Sequence, residues 1–84
     1  MLKTYPNPFN PSLNIDINIL KESMLDISIF SYNGKFIENI FNKTLKPSIK
    51  NIQWYPNFLP SGIYFVRLIT NNNQTVLRKV TYIK

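Results

Sequence analysis

Hydrophobic and polar residues alternate through most of this chain. From Leu13 to Ile19 the alternation is strict, with Leu13, Ile15, Ile17 and Ile19 on one side and Asn14, Asp16 and Asn18 on the other. A period of two is the mark of a strand with one buried face. Leu25, Ile27 and Ile29 alternate with Asp26 and Ser28 and predict a second strand running to about Tyr32. Asn33-Gly34 follows and predicts a two-residue type I′ hairpin turn, because both central positions of that turn need positive φ. Residues 35–41 return as a third strand, and residues 42–48, with Pro47, read as a polar loop. Residues 49–55 form a shorter strand with Ile52 and Trp54 on one face. Pro56 to Gly62 is a connection built from turn residues, and residues 63–69 are the most apolar strand. Asn71-Asn72-Asn73 predicts a turn before a last strand over residues 74–83. Six strands, paired mostly as sequential hairpins and without any helical period, predict an all-β, immunoglobulin-like β-sandwich of about six to seven mostly antiparallel strands. A seventh strand has two candidate places, residues 1–9 and residues 41–47.

Composition supports that class and removes most chemistry. Eighty-four residues suffice for one small domain. Twelve Ile, twelve Asn and no Ala favour strands and turns over helices. The absence of Cys and His excludes disulfides, zinc fingers, Cys or His nucleophile systems and His-based acid–base work. Only four acids remain: Asp16, Glu22, Asp26 and Glu38. Asp16 and Asp26 occupy polar-face positions of neighbouring predicted strands; a paired-carboxylate site there is one reading, and two solvated strand residues is the favoured one. The serines have no His to activate them, and Gly34 and Gly62 alone cannot build a phosphate-binding loop. The chain reads as a non-enzyme, with no catalytic residue, no metal site and no cofactor.

The net charge of +6 invites a nucleic-acid reading. Tyr64, Phe65, Arg67, Arg78, Lys79 and Tyr82 interleave aromatics and cations on the last two strands, the pattern of a single-strand stacking platform. Alternation sends about half of those aromatics into the core, however, and no RRM, KH or helix-turn-helix signature is present. The joint excess of Lys, Asn, Ile, Tyr and Phe also fits an A/T-biased codon supply, so no nucleic-acid partner is expected. Trp54 can be read as a sugar-stacking residue, but Ile52 on its face favours the core. No apolar run approaches the ~18 residues of a membrane-spanning helix, and Pro and Asn break any signal-peptide core near the start.

Four segments carry a family resemblance: Tyr5-Pro6-Asn7-Pro8-Phe9-Asn10-Pro11-Ser12 before an alternating strand; Ile29-Phe30-Ser31-Tyr32-Asn33-Gly34-Lys35; Ser61-Gly62-Ile63-Tyr64-Phe65-Val66-Arg67-Leu68; and the closing Arg78-Lys79-Val80-Thr81-Tyr82-Ile83-Lys84. In this order and spacing the chain resembles the type A C-terminal sorting domain of the type IX (Por) secretion system, and related immunoglobulin-like domains similar to the C-terminal domain of the flagellar hook-capping protein. It departs from the pattern at Lys46-Pro47-Ser48, where a Gly is usual, and at Tyr55-Pro56, where Asp-Gly is usual; both lie in loops.

The resemblance implies residues 1–4 as a linker remnant and residues 5–84 as the sorting domain. It implies a parent protein of Bacteroidota-like bacteria that reaches the periplasm by an N-terminal signal outside this chain. The type IX translocon would carry the attached N-terminal cargo across the outer membrane to the cell surface or medium. A sortase-like peptidase would remove the domain and attach cargo to anionic lipopolysaccharide. Gly62, Tyr64, Arg67, Arg78, Lys79 and Lys84 are the implied recognition residues, and Tyr5, Pro6, Asn7 and Pro8 an opening motif near the cleaved bond. The domain would act as a monomer. The alternative from another class is a structural or carbohydrate-contacting immunoglobulin-like module of a surface protein; a third reading is a single-stranded nucleic-acid binder.

Overall fold

A computed structural model describes residues 2–56, 58–71 and 74–84. The seven strands are β1 (Leu2–Tyr5), β2 (Leu13–Ile19), β3 (Ser23–Ser31), β4 (Phe36–Leu45), β5 (Ser48–Trp54), β6 (Gly62–Thr70) and β7 (Thr75–Tyr82). They form two antiparallel sheets, one in the order β1-β2-β5 and the other in the order β4-β3-β6-β7. The sheets pack as a sandwich because each strand of the alternating pattern has one apolar face to bury, and two such faces bury each other. Leu13, Ile15, Ile17 and Ile19 of β2 face Leu25, Ile27 and Ile29 of β3, Tyr64, Val66 and Leu68 of β6, and Val80 and Tyr82 of β7. Each fully buried aliphatic side chain contributes about 1.5–3 kcal/mol against leaving it in water.

The connections differ from simple hairpins. The chain changes sheet between β2 and β3, between β4 and β5, and between β5 and β6, so β2 pairs with β5 and β3 with β6. The seventh strand lies at the start of the chain. Leu2 pairs with Ile17 and Tyr5 with Asn14, and Leu2 is buried. Residues 2–4, expected as a linker remnant, are therefore part of the sandwich, and the boundary expected at residue 5 cuts through β1. Residues 42–45, expected in a loop, instead prolong β4 because β3 offers ladder partners as far as Ser23 opposite Leu45. The polar side chains of Asn42, Lys43 and Thr44 suit the solvent-facing edge of a sheet, while Leu45 packs against the core.

The Asn33-Gly34 hairpin forms with a different turn. The Gly34 N–H donates to the Ser31 carbonyl at 2.9 Å and the Ser31 N–H to the Lys35 carbonyl at 2.8 Å. Gly34 has φ 86°. This is a three-residue loop with Gly34 as a left-handed bulge, not a two-residue type I′ turn. The Ser31 hydroxyl holds it by donating to Asn33 Oδ1 and accepting from the Lys35 N–H at 3.2 Å. In the β6–β7 turn, Asn72 and Asn73 lie outside the described residues; the Thr70 N–H donates to the Gln74 carbonyl at 3.0 Å.

Candidate functional site

The residues that carry the sequence motifs converge inside the sandwich. Phe9 stacks on Tyr82 with ring centroids 5.1 Å apart and tilts against Trp54 at 5.8 Å; Trp54 meets Tyr64 edge-on at 6.0 Å. All four rings are buried. Such pairs add about 0.5–1.5 kcal/mol beyond the area they bury. The Trp54 indole N–H donates to Glu38 Oε1 at 2.7 Å, so both faces of its chemistry are occupied and it offers no sugar platform. The Tyr64 hydroxyl donates to the Pro60 carbonyl at 2.6 Å, four residues upstream. That is the corner by which immunoglobulin-like sandwiches pin the entry to a central strand. Burial, with a smaller effect from Tyr82, pushes the Tyr64 phenol above its ordinary pKa.

The opening motif seals a sheet edge. Asn7 Oδ1 accepts the Thr81 N–H at 2.9 Å, the Phe9 N–H donates to the Thr81 carbonyl at 2.9 Å, and the Ile83 N–H donates to the Phe9 carbonyl at 3.2 Å. Phe9 thus bridges Tyr82 in parallel along the free edge of β7. Pro6 and Pro8 flank the contact, and residues without an N–H cannot extend the ladder further. Tyr5 lies on the other sheet, where its hydroxyl donates to Asp16 at 2.9 Å under the Lys3 ammonium.

The expected recognition residues do not form one surface. Gly62 opens β6 opposite Tyr82 at φ 159°. Tyr64 is buried, with its hydroxyl in the corner. Arg78 stands opposite Val66, on the inward phase of edge strand β7. Its guanidinium donates to the Leu2 carbonyl at 3.3 Å and the Leu77 carbonyl at 3.2 Å, clamping β7 to β1. Lys79, one residue on, necessarily points to the opposite side. It is opposite Phe65 on the outer face of the four-stranded sheet, where Arg67 stands opposite Leu77. The Arg67 guanidinium lies 4.5 Å over the Phe30 ring, and its Nε is shielded from solvent without a hydrogen-bond partner among the described residues. Beyond β7, the Lys84 N–H donates to Ser61 Oγ at 2.8 Å.

Two readings that the sequence did not favour come apart. Tyr64 and Tyr82 are buried, which dismantles the six-residue stacking platform. Asp16 and Asp26 sit in different sheets, because the chain crosses between β2 and β3. Asp16 accepts from Asn51 at 2.6 Å and from Tyr5, which hold its carboxyl below the ordinary aspartate value. Asp26 accepts from Asn39 at 2.7 Å and Ser28 at 3.2 Å. What sequence reasoning missed is a row of rings across the outer face: Phe36, Phe30 and Phe65 are successive ladder partners, ending at Lys79. The available signal was Phe30, a large apolar residue in the phase that also holds Asp26 and Ser28.

A family model described as a secretion system C-terminal sorting domain matches residues 3–84. The chain belongs to that family. The match starts inside β1 and takes in both sheets. The domain is a C-terminal sorting signal for type IX secretion, and the proteins that carry it are secreted or displayed on the cell surface. The family is one of sorting signals and not of enzymes. No curated protein matches the chain. Among the described residues no helix is long and apolar enough to cross a membrane.

Proposed function

We propose that the type IX translocon reads this domain as a folded sandwich in the periplasm, with cargo attached on the N-terminal side of β1. The observation that carries the reading is the Phe9–Trp54–Tyr64–Tyr82 cluster. The segments that carry the resemblance supply three of its four rings, Phe9, Tyr64 and Tyr82, so the signal presupposes the fold. Arg67, Lys79 and Lys84 act at the surface, whereas Gly62, Tyr64 and Arg78 act by holding it in shape. A sortase-like peptidase cuts on the N-terminal side of β1 and not within Tyr5–Pro8, since Tyr5 belongs to a ladder and Asn7 to the β7 edge. The domain acts as a monomer, because its charge of +6 opposes self-association.

The test is a fusion of the chain to the C-terminus of a periplasm-directed fluorescent protein in a type IX host. Export of the wild-type fusion, with the domain trimmed from the product, is the expected result. Retention in the periplasm, while a sorting domain of the same family exports the same reporter, overturns the assignment to this host's translocon.

A further inference from the structure

The two outer faces of the sandwich differ in kind. The three-stranded sheet presents Asn14, Asp16, Asn51 and Gln53, cross-linked through Asp16–Asn51 and Asn14–Gln53 hydrogen bonds, which separate its exposed Tyr5 at one end from Ile49 at the other. The four-stranded sheet presents the ring row Phe36–Phe30–Phe65, flanked by Arg67 and Leu77 in the next row. Phe36 is 55% and Leu77 54% exposed, and Tyr32 beside them 71%. Outer faces of a sandwich are ordinarily polar, and a contiguous apolar patch with a polar rim marks an interaction site. Phe30, Tyr32, Gly34, Phe65, Arg67 and Leu77 line an open groove of about 310 Å³ on this face. Across four strands the row spans about 14 Å, from the ~4.8 Å spacing of neighbouring strands.

The charges on the face indicate what fills it. Arg67 and Lys79 stand in and beside the groove. Asp26 shares this outer face one row from Arg67, where Asn39 and Ser28 already donate to its carboxylate; the other three acids are elsewhere. Asp16 is on the opposite sheet, and Glu22 is in the β2–β3 connection. Glu38 accepts the Trp54 indole. The Arg67 guanidinium stacks on Phe30, and no hydrogen bond fixes it among the described residues. We propose that this groove is the docking site for an extended peptide segment of the export machinery, one that places apolar side chains along the phenylalanine row and carboxylates against Arg67 and Lys79. The proposal rests on the sorting reading and names the surface and the partner's chemistry for it. A nucleic acid fits less well: two cations make no phosphate-tracking stripe, and Leu77 and Phe36 offer aliphatic and edge contacts that stacking does not use.

The experiment uses the full chain fused to the periplasm-directed reporter. Arg67→Glu and Leu77→Ser are compared with Lys46→Glu, an equal charge reversal in the β4–β5 loop. A photo-crosslinking phenylalanine analogue at position 77 captures whatever lies on the groove. We expect at least tenfold less export for the two groove variants, folded and retained in the periplasm with melting temperatures near wild type, and normal export for Lys46→Glu. The crosslinked segment should be rich in Asp or Glu alternating with apolar residues. Folded groove variants exported as well as wild type overturn the docking site while leaving the sorting assignment intact. Crosslinks to a basic or neutral segment overturn the partner's chemistry, as does submicromolar, salt-sensitive oligonucleotide binding lost in Arg67→Glu. Failure of the wild-type fusion itself, with a family sorting domain working in its place, removes both.

Discussion

Tyr64→Phe separates holding the fold from being read by a partner. The substitution removes one hydroxyl and its 2.6 Å bond to the Pro60 carbonyl while leaving the ring against Trp54. A net intramolecular hydrogen bond contributes about 0.5–1.5 kcal/mol. In a domain of this size 1 kcal/mol moves the melting temperature by about 4–8 °C. We therefore expect Tyr64→Phe to melt about 4–8 °C lower, by circular dichroism, and to be exported normally at temperatures well below its midpoint. Tyr64→Ala is a different perturbation. Taking an aromatic out of a core costs about 3–5 kcal/mol, against a total of about 5–15 kcal/mol for ordinary domains. It should unfold much of the population and abolish export for that reason alone. An unchanged midpoint in Tyr64→Phe would show that the corner bond contributes nothing. An unchanged midpoint with lost export would show that the hydroxyl is itself read, and the corner account would be wrong.

Gly34→Val should cost about 1–2 kcal/mol, because Gly34 sits at φ 86° and a Cβ there meets nothing within 4 Å, so the penalty is backbone strain alone; Gly34→Asn should cost clearly less, and equal costs in urea denaturation would refute the turn. Arg78→Ala should loosen β1, seen as faster amide exchange at residues 2–5, whereas Lys79→Ala should leave that exchange unchanged. The Asp16 pKa is lowered by its bonds from Asn51 and Tyr5, so its stabilisation is present above the ordinary value of 3.8 and lost as pH falls through the lower folded value; Asp16→Asn should flatten the acid limb of a stability-against-pH curve. Tyr5 and Tyr64 have raised pKa values, from the bond to Asp16 and from burial respectively, so their contribution is present below pH 10.0 and lost as pH climbs through the folded values; Tyr64→Phe should remove part of that alkaline limb.

Local periodicity made much of this fold legible. Leu13 to Ile19 could hardly be anything but a half-buried strand, and the residues it sends inward are the buried ones. What periodicity cannot carry is the partner of a strand. Leu2–Tyr5 is too short to signal itself and becomes a strand only because β2 has a free side there. Asn42, Lys43 and Thr44 look like loop residues, and they are strand because an edge tolerates polar side chains. Asp16 and Asp26 stay apart for the same reason: β2 and β3 are neighbours in sequence but lie in different sheets. At the site, the motif residues fall into buried and exposed groups that the sequence order alone does not separate. Phe9 and Tyr82, in separate motifs, stack on each other, and Tyr64 joins them through Trp54. Arg78 and Lys79 look like one basic patch until alternation assigns them to opposite faces.

That division bears on how a folded export signal should be dissected. β7 is held along β6 on one side and by Asn7 and Phe9 on the other, with Arg78 tying it to Leu2 across the sandwich. Cutting back the last strand removes Val80 and Tyr82 from the core, strips Phe9 of its stacking partner and frees the opening motif. Loss of export after such a truncation follows from unfolding whether or not any partner touches β7. The same holds for truncation from the other end, since removing β1 exposes the free side of β2 and the carbonyl that Arg78 grips. Only substitutions whose side chains leave the core untouched report on recognition. On this chain that points to the outer face of the four-stranded sheet, where Arg67, Leu77 and Lys79 project away from the buried cluster. A retained export signal after all three are changed, in a domain that still melts cooperatively, would mean that recognition lies in the edges and loops of the sandwich and not on either sheet face.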